Sequence, residues 1–371
     1  MTPLVAAKRI VIKVGSILLV DPSSGRVHQR WLDGLAEDVA RLRKRGQEVI
    51  LVSSGAIALG RRHLGLRAGR LRLEESQAAA ATGQIHLAKA YQDAMSAHGI
   101  SVAQVLLTVD DTEQRRKYLN ARSTINTLLR LGALPVINEN DTVATAEIRF
   151  GDNDRLSARV AEMTSSDCLV LLSDVDGLYS ADPSIEAGAT LVPRVEQITP
   201  EVEAMAGQPQ TGDGSGGMVT KLMAARIATS AGAAMVIARG TVEHPILAIE
   251  EGGPCTWFDP QGNPRTARKQ WIAGTLQPSG SIVVDDGAVR ALSDGKSLLP
   301  AGVTAIDGDF QRGDAVYIKD ASGTILGRGL VAYASADARP LIGHKSSEIE
   351  TLLGYRGRDE MIHRDDLVLN D

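Results

Sequence analysis

The feature that most narrows the fold is the spacing of short apolar runs along the first two thirds of the chain. Arg9–Val14 (RIVIKV), Glu48–Val52, Ile100–Leu107, Ala133–Ile137, Cys168–Ser173 and Ala234–Ala238 are rich in Val, Ile and Leu and read as strands. Between them lie segments of helical spacing. His28–Arg45 sets Trp31, Leu32, Leu35, Val39 and Leu42 on one face and is closed by Gly46. Ala56–His63, Tyr118–Leu131, Arg155–Met163 and Met218–Ala231 follow the same pattern, and Glu74–His98 reads as one long Ala-rich helix with Gly83 as a candidate kink. Strands that alternate with helices to about residue 250 argue for a mainly parallel sheet covered by helices on both faces.

The rhythm changes between residues 252 and 280. Gly252, Gly253, Pro254, Pro260, Gly262, Pro264, Pro278 and Gly280 cluster there, with Trp257 and Trp271 between them. This reads as a domain junction, which divides the chain into 1–260, a linker 261–277 and 278–371. Beyond it, Ser281–Val284, Ala315–Ile318 and Thr324–Leu330 alternate with Gly/Asp turns, the pattern of a small β-rich module.

Composition excludes several classes. With 371 residues the chain has room for two domains. Its net charge of −5 gives no general attraction to nucleic acid, and 3% aromatic content leaves few platforms for stacked bases. The apolar start of the chain is interrupted by Lys8, Arg9 and Lys13, so it reads as a first strand and not as a leader peptide. No run reaches the roughly 18 apolar residues of a spanning helix, so a cytoplasmic protein is expected. Cys168 and Cys255 have no metal-like spacing, and Cys168 sits in an apolar run, where core packing is expected.

Chemistry should sit in four segments, with Ser173-Asp174 as a smaller fifth element. Ile137–Asp154 (INENDTVATAEIRFGDND) carries Asn138, Glu139, Asn140 and Asp141 at one end and Asp152, Asn153 and Asp154 at the other. Buried unpaired carboxylates are very costly, so this stretch reads as a polar loop placed where ligands bind in α/β sheets. Thr142–Phe150 would fold one cluster over the other as a candidate lid. Lys13-Val14-Gly15-Ser16 follows strand one, and offers a cation and backbone N–H groups to phosphate; a solvated lysine is the bland alternative. In Val52–Gly55, Ser54 either caps the next helix or faces a substrate carboxylate. Thr211–Lys221 (TGDGSGGMVTK) is either a flexible Gly/Ser linker or a phosphate-cradling loop that lacks P-loop spacing. Ser173-Asp174, at a strand end, is either a turn or a nucleotide contact.

Taken together, IVIKVGS (10–16), LVSSGAIALG (51–60), PVINENDTVATAEIRFGDND (135–154), SDVDGLY (173–179), ADP (181–183) and GSGGMVTK (214–221) resemble the amino acid kinase family, and within it the glutamate 5-kinases. The resemblance covers nearly the whole chain, and residues from about 278 are similar to a PUA module. Ile17 departs from the family's usual small or hydroxyl residue after Gly-Ser, and only a local packing change is expected from it.

The resemblance implies a three-layer α/β/α sandwich, with a mainly parallel sheet and a small β-rich PUA-like domain. It implies transfer of the ATP γ-phosphoryl group to the side-chain carboxylate of L-glutamate, giving L-glutamyl 5-phosphate, the first step toward proline. Glutamate needs no general base, because its side-chain pKa of about 4.3 leaves it ionised at neutral pH. The difficulty is an anion attacking a polyanion, which calls for cations and positioning. Lys13 would hold the transferring phosphoryl group, Lys221 would offset charge on the leaving side, and Asp154 would orient both lysines. Gly15, Ser16, Ser173, Asp174 and the segment Ser215, Gly216, Gly217, Met218, Val219 and Thr220 would line ATP, whose phosphates Mg²⁺ would bridge, with no protein side chain assigned as a metal ligand. Ser54, the amide of Gly55 and Asn153 would face glutamate carboxylates, Asp141 its ammonium group, and Asn138 would belong to the same site.

The resemblance further implies dimers or tetramers and feedback inhibition by proline. A kinase of the same family for another small acid or phosphate, and an RNA-binding protein with a degenerate kinase domain, are the competing readings. Residues 275–371 hold 10 Lys+Arg and 15 Asp+Glu, so the module carries the whole net charge of −5 and RNA binding is not expected of it.

Overall fold

The computed structural model describes residues 2–66, 71–143, 152–186, 188–207, 217–264 and 278–370, with a few isolated positions between them. The chain divides into two compact units, Met1–Pro264 and Arg265–Asp371.

In the first unit the apolar runs become strands: β1 Arg9–Val14, β2 Glu48–Ser53, β3 Val102–Leu107, β4 Leu134–Glu139, β5 Cys168–Ser173, β6 Arg194–Val195, β7 Ala234–Arg239 and β8 Cys255–Phe258. They form an eight-stranded sheet in the order β3-β4-β2-β1-β5-β7-β8-β6. All pairings are parallel except β7 with β8. β8 was not expected from the sequence. It lies in the Gly/Pro-rich stretch and holds Trp257, so the first unit continues into the region read as a junction.

Helices cover both faces. Ile10, Ile12 and Val14 join one core layer with Trp31, Leu35 and Tyr91. Val11, on the other face of β1, joins Leu156, Val160 and Met163 of the helix Asp152–Thr164. Each such side chain contributes about 1.5–3 kcal/mol when fully buried, which fixes the strands as a rigid base. Strand alternation puts Lys13 on the Val11 face, toward that helix. Burial also pushes the Cys168 thiol up, consistent with a packing role.

The helix Leu73–Ser96 runs through Gly83 without interruption. The glycine there serves a close approach: a Cβ at Gly83 would lie 1.7 Å from the Ala56 carbonyl, and one at Gly60 equally close to the Ala79 carbonyl. The helices Ala56–His63 and Leu73–Ser96 therefore touch backbone to backbone, which only glycine at these two positions permits.

The second unit is a five-stranded sheet of β9 Gly280–Val284, β10 Val303–Gly308, β11 Ala315–Lys319, β12 Ile325–Leu330 and β13 Leu367–Leu369, in the order β10-β9-β11-β12-β13. Only β9 and β11 pair in parallel. Its core gathers Ile282, Val284, Phe310, Val316, Ile318 and Ile362. Strands β10 and β13 were not expected; β10 mixes exposed and half-buried residues after Val303, so it lacks a clean apolar signal.

Candidate active site

β1 is the switch point of the sheet: the chain proceeds from it to β2 on one side, and β5 lies on the other. Crevices at such points, outside the carboxyl ends of the strands, are where α/β sheets bind ligands. The carboxyl ends here carry Lys13 (β1), Ser53 and Ser54 (β2), Asn138 and Glu139 (β4) and Ser173 (β5).

The expected polar loop at 137–154 is corrected at both ends. Asn138 and Glu139 are the last residues of β4, and Asp152, Asn153 and Asp154 form the first turn of the helix Asp152–Thr164. Polar residues fit these positions: Asn138 bonds Gln84, Asn153 donates to Ser54, and Asp154 pairs with Lys13 and Lys221. Between them, Asn140–Val143 makes a turn in which the Val143 amide donates to the Asn140 carbonyl at 3.1 Å. The rest of the proposed lid, residues 144–150, lies outside the described residues, as do Ser215 and Gly216 of the expected phosphate loop and most of the expected linker 261–277.

Asp154 is the centre of the first cluster. It is 2% exposed, yet its Oδ1 pairs with Lys13 Nζ at 2.7 Å and its Oδ2 with Lys221 Nζ at 3.4 Å. Thr220 Oγ1 lies 3.0 Å from Asp154 Oδ2 and 2.9 Å from the Gly217 carbonyl, so its single hydrogen is shared between two acceptors. Burial works against charge on Asp154, but the two ammonium groups and the hydrogen bonds from Lys13 and Thr220 outweigh it and hold the carboxyl below the usual carboxylate range. Lys221 stands in the first turn of the helix Met218–Ser230, whose N-cap is Gly217. Two helix N-termini thus converge on this cluster, where, among the described residues, two lysines face one carboxylate. That arrangement suits a transferring phosphoryl group.

The second cluster is neutral and adjoins the first through the chain itself. Asn153 Nδ2 donates to Ser54 Oγ at 2.5 Å and lies 3.2 Å from Asn138 Oδ1 and 3.4 Å from the Ser53 carbonyl. Asn138, 2% exposed, donates through Nδ2 to Gln84 Oε1 at 2.8 Å, so both ends of its amide are engaged beneath Asn153. Ser54 does not cap the next helix: the N-cap is Gly55, at φ +111, without a side-chain bond. A residue with a Cβ would be strained at that φ, whereas glycine lets the backbone turn sharply after β2. Asp141 is half-buried just past the end of β4. Gln84 and Tyr91, which donates to Ser53 Oγ at 2.9 Å, carried no signal in the sequence; both reach the site from the long helix.

Gly15 caps a four-residue helix Ser16–Leu19, in which Ile17 is 55% exposed. At the end of β5, Ser173 Oγ donates to Asp174 Oδ1 at 2.9 Å. Nearby, Asp176 pairs with Arg239 of β7 at 3.3 Å, a pair the sequence reading passed over. Among the described residues, no three His, Cys, Asp or Glu side chains are grouped to hold a metal, and no helix is long and apolar enough to cross a membrane.

The chain matches the model of the amino acid kinase family over residues 8–239 and that of the PUA domain over residues 280–353. It is similar to the glutamate 5-kinase of Paramagnetospirillum magneticum, at 64% identity over 369 residues and 100% of both chains. It is also similar to that of Rhodospirillum rubrum, at 60% identity over 97% of this chain and 96% of the relative, and to that of Gluconobacter oxydans, at 59% over 99% and 97%. The matched span holds Lys13, Asp154 and Lys221 together in space, on a mainly parallel α/β sheet, so this chain belongs to the amino acid kinase family and carries a PUA domain behind it.

Proposed function

We propose that this protein is an ATP-dependent kinase of the L-glutamate side-chain carboxylate that forms L-glutamyl 5-phosphate at the head of proline biosynthesis. The observation that carries the reading is the adjacency of Asn153 and Asp154: one faces Ser54 in a neutral polar cluster, the other ties two lysines together. The named relatives, matched over essentially the full chain, support the same substrate.

In this reading Lys13 grips the transferring phosphoryl group and Lys221 offsets charge as ADP leaves. Asp154 keeps both ammonium groups fixed, so that no reorganisation is needed when charge moves. The segment 215–220, Gly15, Ser16, Ser173 and Asp174 line the nucleotide. Mg²⁺ is held mainly by the nucleotide phosphates, as that ion often is. When ATP is bound, its phosphate charge is partly neutralised by that Mg²⁺. Asp141 accepts from the α-ammonium group, and Ser54, the Gly55 amide and Asn153 face the carboxylates. Proline, which shares the α-carboxylate and the ammonium nitrogen, competes for the same groups as a feedback inhibitor. The 1–260 unit is the kinase, residues 261–277 join it to the PUA-like unit 278–371, the active form is a dimer or tetramer, and the protein works in the cytoplasm without binding RNA.

Trapping the acyl phosphate with hydroxylamine, in the presence of ATP and Mg²⁺, tests the reaction. Hydroxamate should form with glutamate and not with aspartate or N-acetylglutamate, and UMP should release no ADP. Release of ADP by another acceptor, with none from glutamate, would overturn the reading.

A further inference from the structure

The long helix Leu73–Ser96 contributes no residue to any motif, yet it places Gln84 directly behind the amino-acid end of the site. An amide side chain has a donor end and an acceptor end, and a rotation by half a turn exchanges them. Three amides and a hydroxyl are joined here in one row: Gln84, Asn138, Asn153 and Ser54. The backbone carbonyl of Ser53 can only accept, so it fixes Asn153 with Nδ2 toward β2. Asn153 must then meet Asn138 at Oδ1, and Asn138 must turn Nδ2 away, toward Gln84 Oε1.

The row has two chemical consequences. Ser54 Oγ accepts from Asn153, so its own hydrogen is left to donate, the polarity a carboxylate requires. Asn153 Oδ1 is buried and has no hydrogen-bond partner among the described residues; an acceptor left in that state is costly until a donor arrives. A ligand carrying both a carboxylate and an ammonium group satisfies both at once.

We infer that Gln84 is a positioning residue for the amino acid substrate, acting through Asn138 to hold Asn153 and Ser54 in the polarity that binds a zwitterion. This rests on the assignment of Asn153 and Ser54 to the glutamate site. Gln84 does not touch substrate. Its side chain closes the far end of the row, and without it the Asn138 amide is free to rotate and to present Nδ2 to Asn153, donor against donor. The placement of Gln84 is rigid because its neighbour Gly83 lets the helix press against the backbone at Ala56, just after the Ser54-Gly55 turn. Two turns further on, Tyr91 anchors Ser53 from the same helix.

The test is steady-state kinetics of the full chain bearing Gln84→Ala, Gln84→Glu, Asn153→Ala and the double change Gln84→Ala with Asn153→Ala. Gln84→Ala should raise the glutamate KM roughly five- to tenfold (about 1–1.4 kcal/mol) and leave the ATP KM within about twofold. Gln84→Glu keeps an acceptor oxygen facing Asn138 and should restore most of the affinity. The double variant should be little worse than Asn153→Ala alone, because Gln84 acts through that residue. If Gln84→Ala does not fold, Gln84→Leu takes its place in the same comparison. An unchanged glutamate KM in folded Gln84→Ala, equal changes in both KM values, or full additivity in the double variant would overturn the inference while leaving the site intact. An unchanged glutamate KM in Asn153→Ala would instead overturn the assignment of the site on which it rests.

Discussion

The two ends of the stretch Ile137–Asp154 solve different problems with different chemistry. At the Asp154 end the groups are fully charged: one carboxylate between two ammonium groups, nearly cut off from solvent. At the Asn138 end the buried groups are neutral, an amide row from Gln84 to Ser54. In the proposed reaction, charge is concentrated where charge must move, because a fixed cation stabilises a transferring phosphoryl group most when water is excluded. Neutral amides are used where only orientation is required, since they tolerate burial at lower cost than ions do. The acidic look of this segment in the sequence hides two unlike clusters, joined by the peptide bond between Asn153 and Asp154.

Removing the centre of the charged end should have the largest effect. Asp154→Ala leaves two ammonium groups without their common partner, and breaking a buried ion pair from one side costs about 3–5 kcal/mol. Turnover should fall at least about a hundredfold, in the range for loss of a preorganised electrostatic group. Urea unfolding and single-turnover assays read both losses. Stability close to that of the parent would show that the lysines do not need Asp154. The same pairing sets a pH dependence. The carboxyl of Asp154 is held below its unfolded value of about 3.9, so its contribution is complete above that pH and is lost as the pH falls through the lower, folded value. Unfolding midpoints measured from pH 5 downward should therefore drop more steeply in the parent than in Asp154→Ala.

Lys221→Ala is milder, because Asp154 keeps Lys13 as a partner. It should lower turnover at least about tenfold, the equivalent of 1.36 kcal/mol in the barrier. Near-normal turnover would remove Lys221 from the leaving side. Asp141→Ala probes the amino-acid end. It should raise the glutamate KM about tenfold, the order of one charge-assisted hydrogen bond, with the ATP KM unchanged. A larger effect on ATP than on glutamate would erase the contrast between the two ends.

Much of this was legible in the sequence. The apolar runs gave six of the eight strands of the first unit; Lys13 and Lys221 sat beside Gly/Ser turns suited to phosphate, and Asp154 sat in a polar stretch whose link to the two lysines came only with the resemblance to the amino acid kinases. The element ends were not legible. Asn138 and Glu139 read as loop because strand propensity says nothing about a polar side chain whose partner, Gln84, lies 54 positions away on another element. Asn153 and Asp154 likewise read as loop although they begin a helix, since the first turn of a helix favours the same acidic and amide residues as a turn does. Gln84 itself was silent, one polar residue in an Ala-rich helix, and Gly83 pointed to a kink where the fold uses it for contact. β8 escaped because Gly and Pro crowd both its flanks.

If the neighbours Asn153 and Asp154 serve separate ends, Asp154→Asn and Asn153→Ala will differ when kcat and the glutamate KM are measured side by side. Asp154→Asn should lose turnover while its glutamate KM stays within about threefold, a change too small to signal a lost hydrogen bond of ~1 kcal/mol, and Asn153→Ala should raise the glutamate KM by more than it lowers kcat. The same kinetic signature in both variants would contradict that separation.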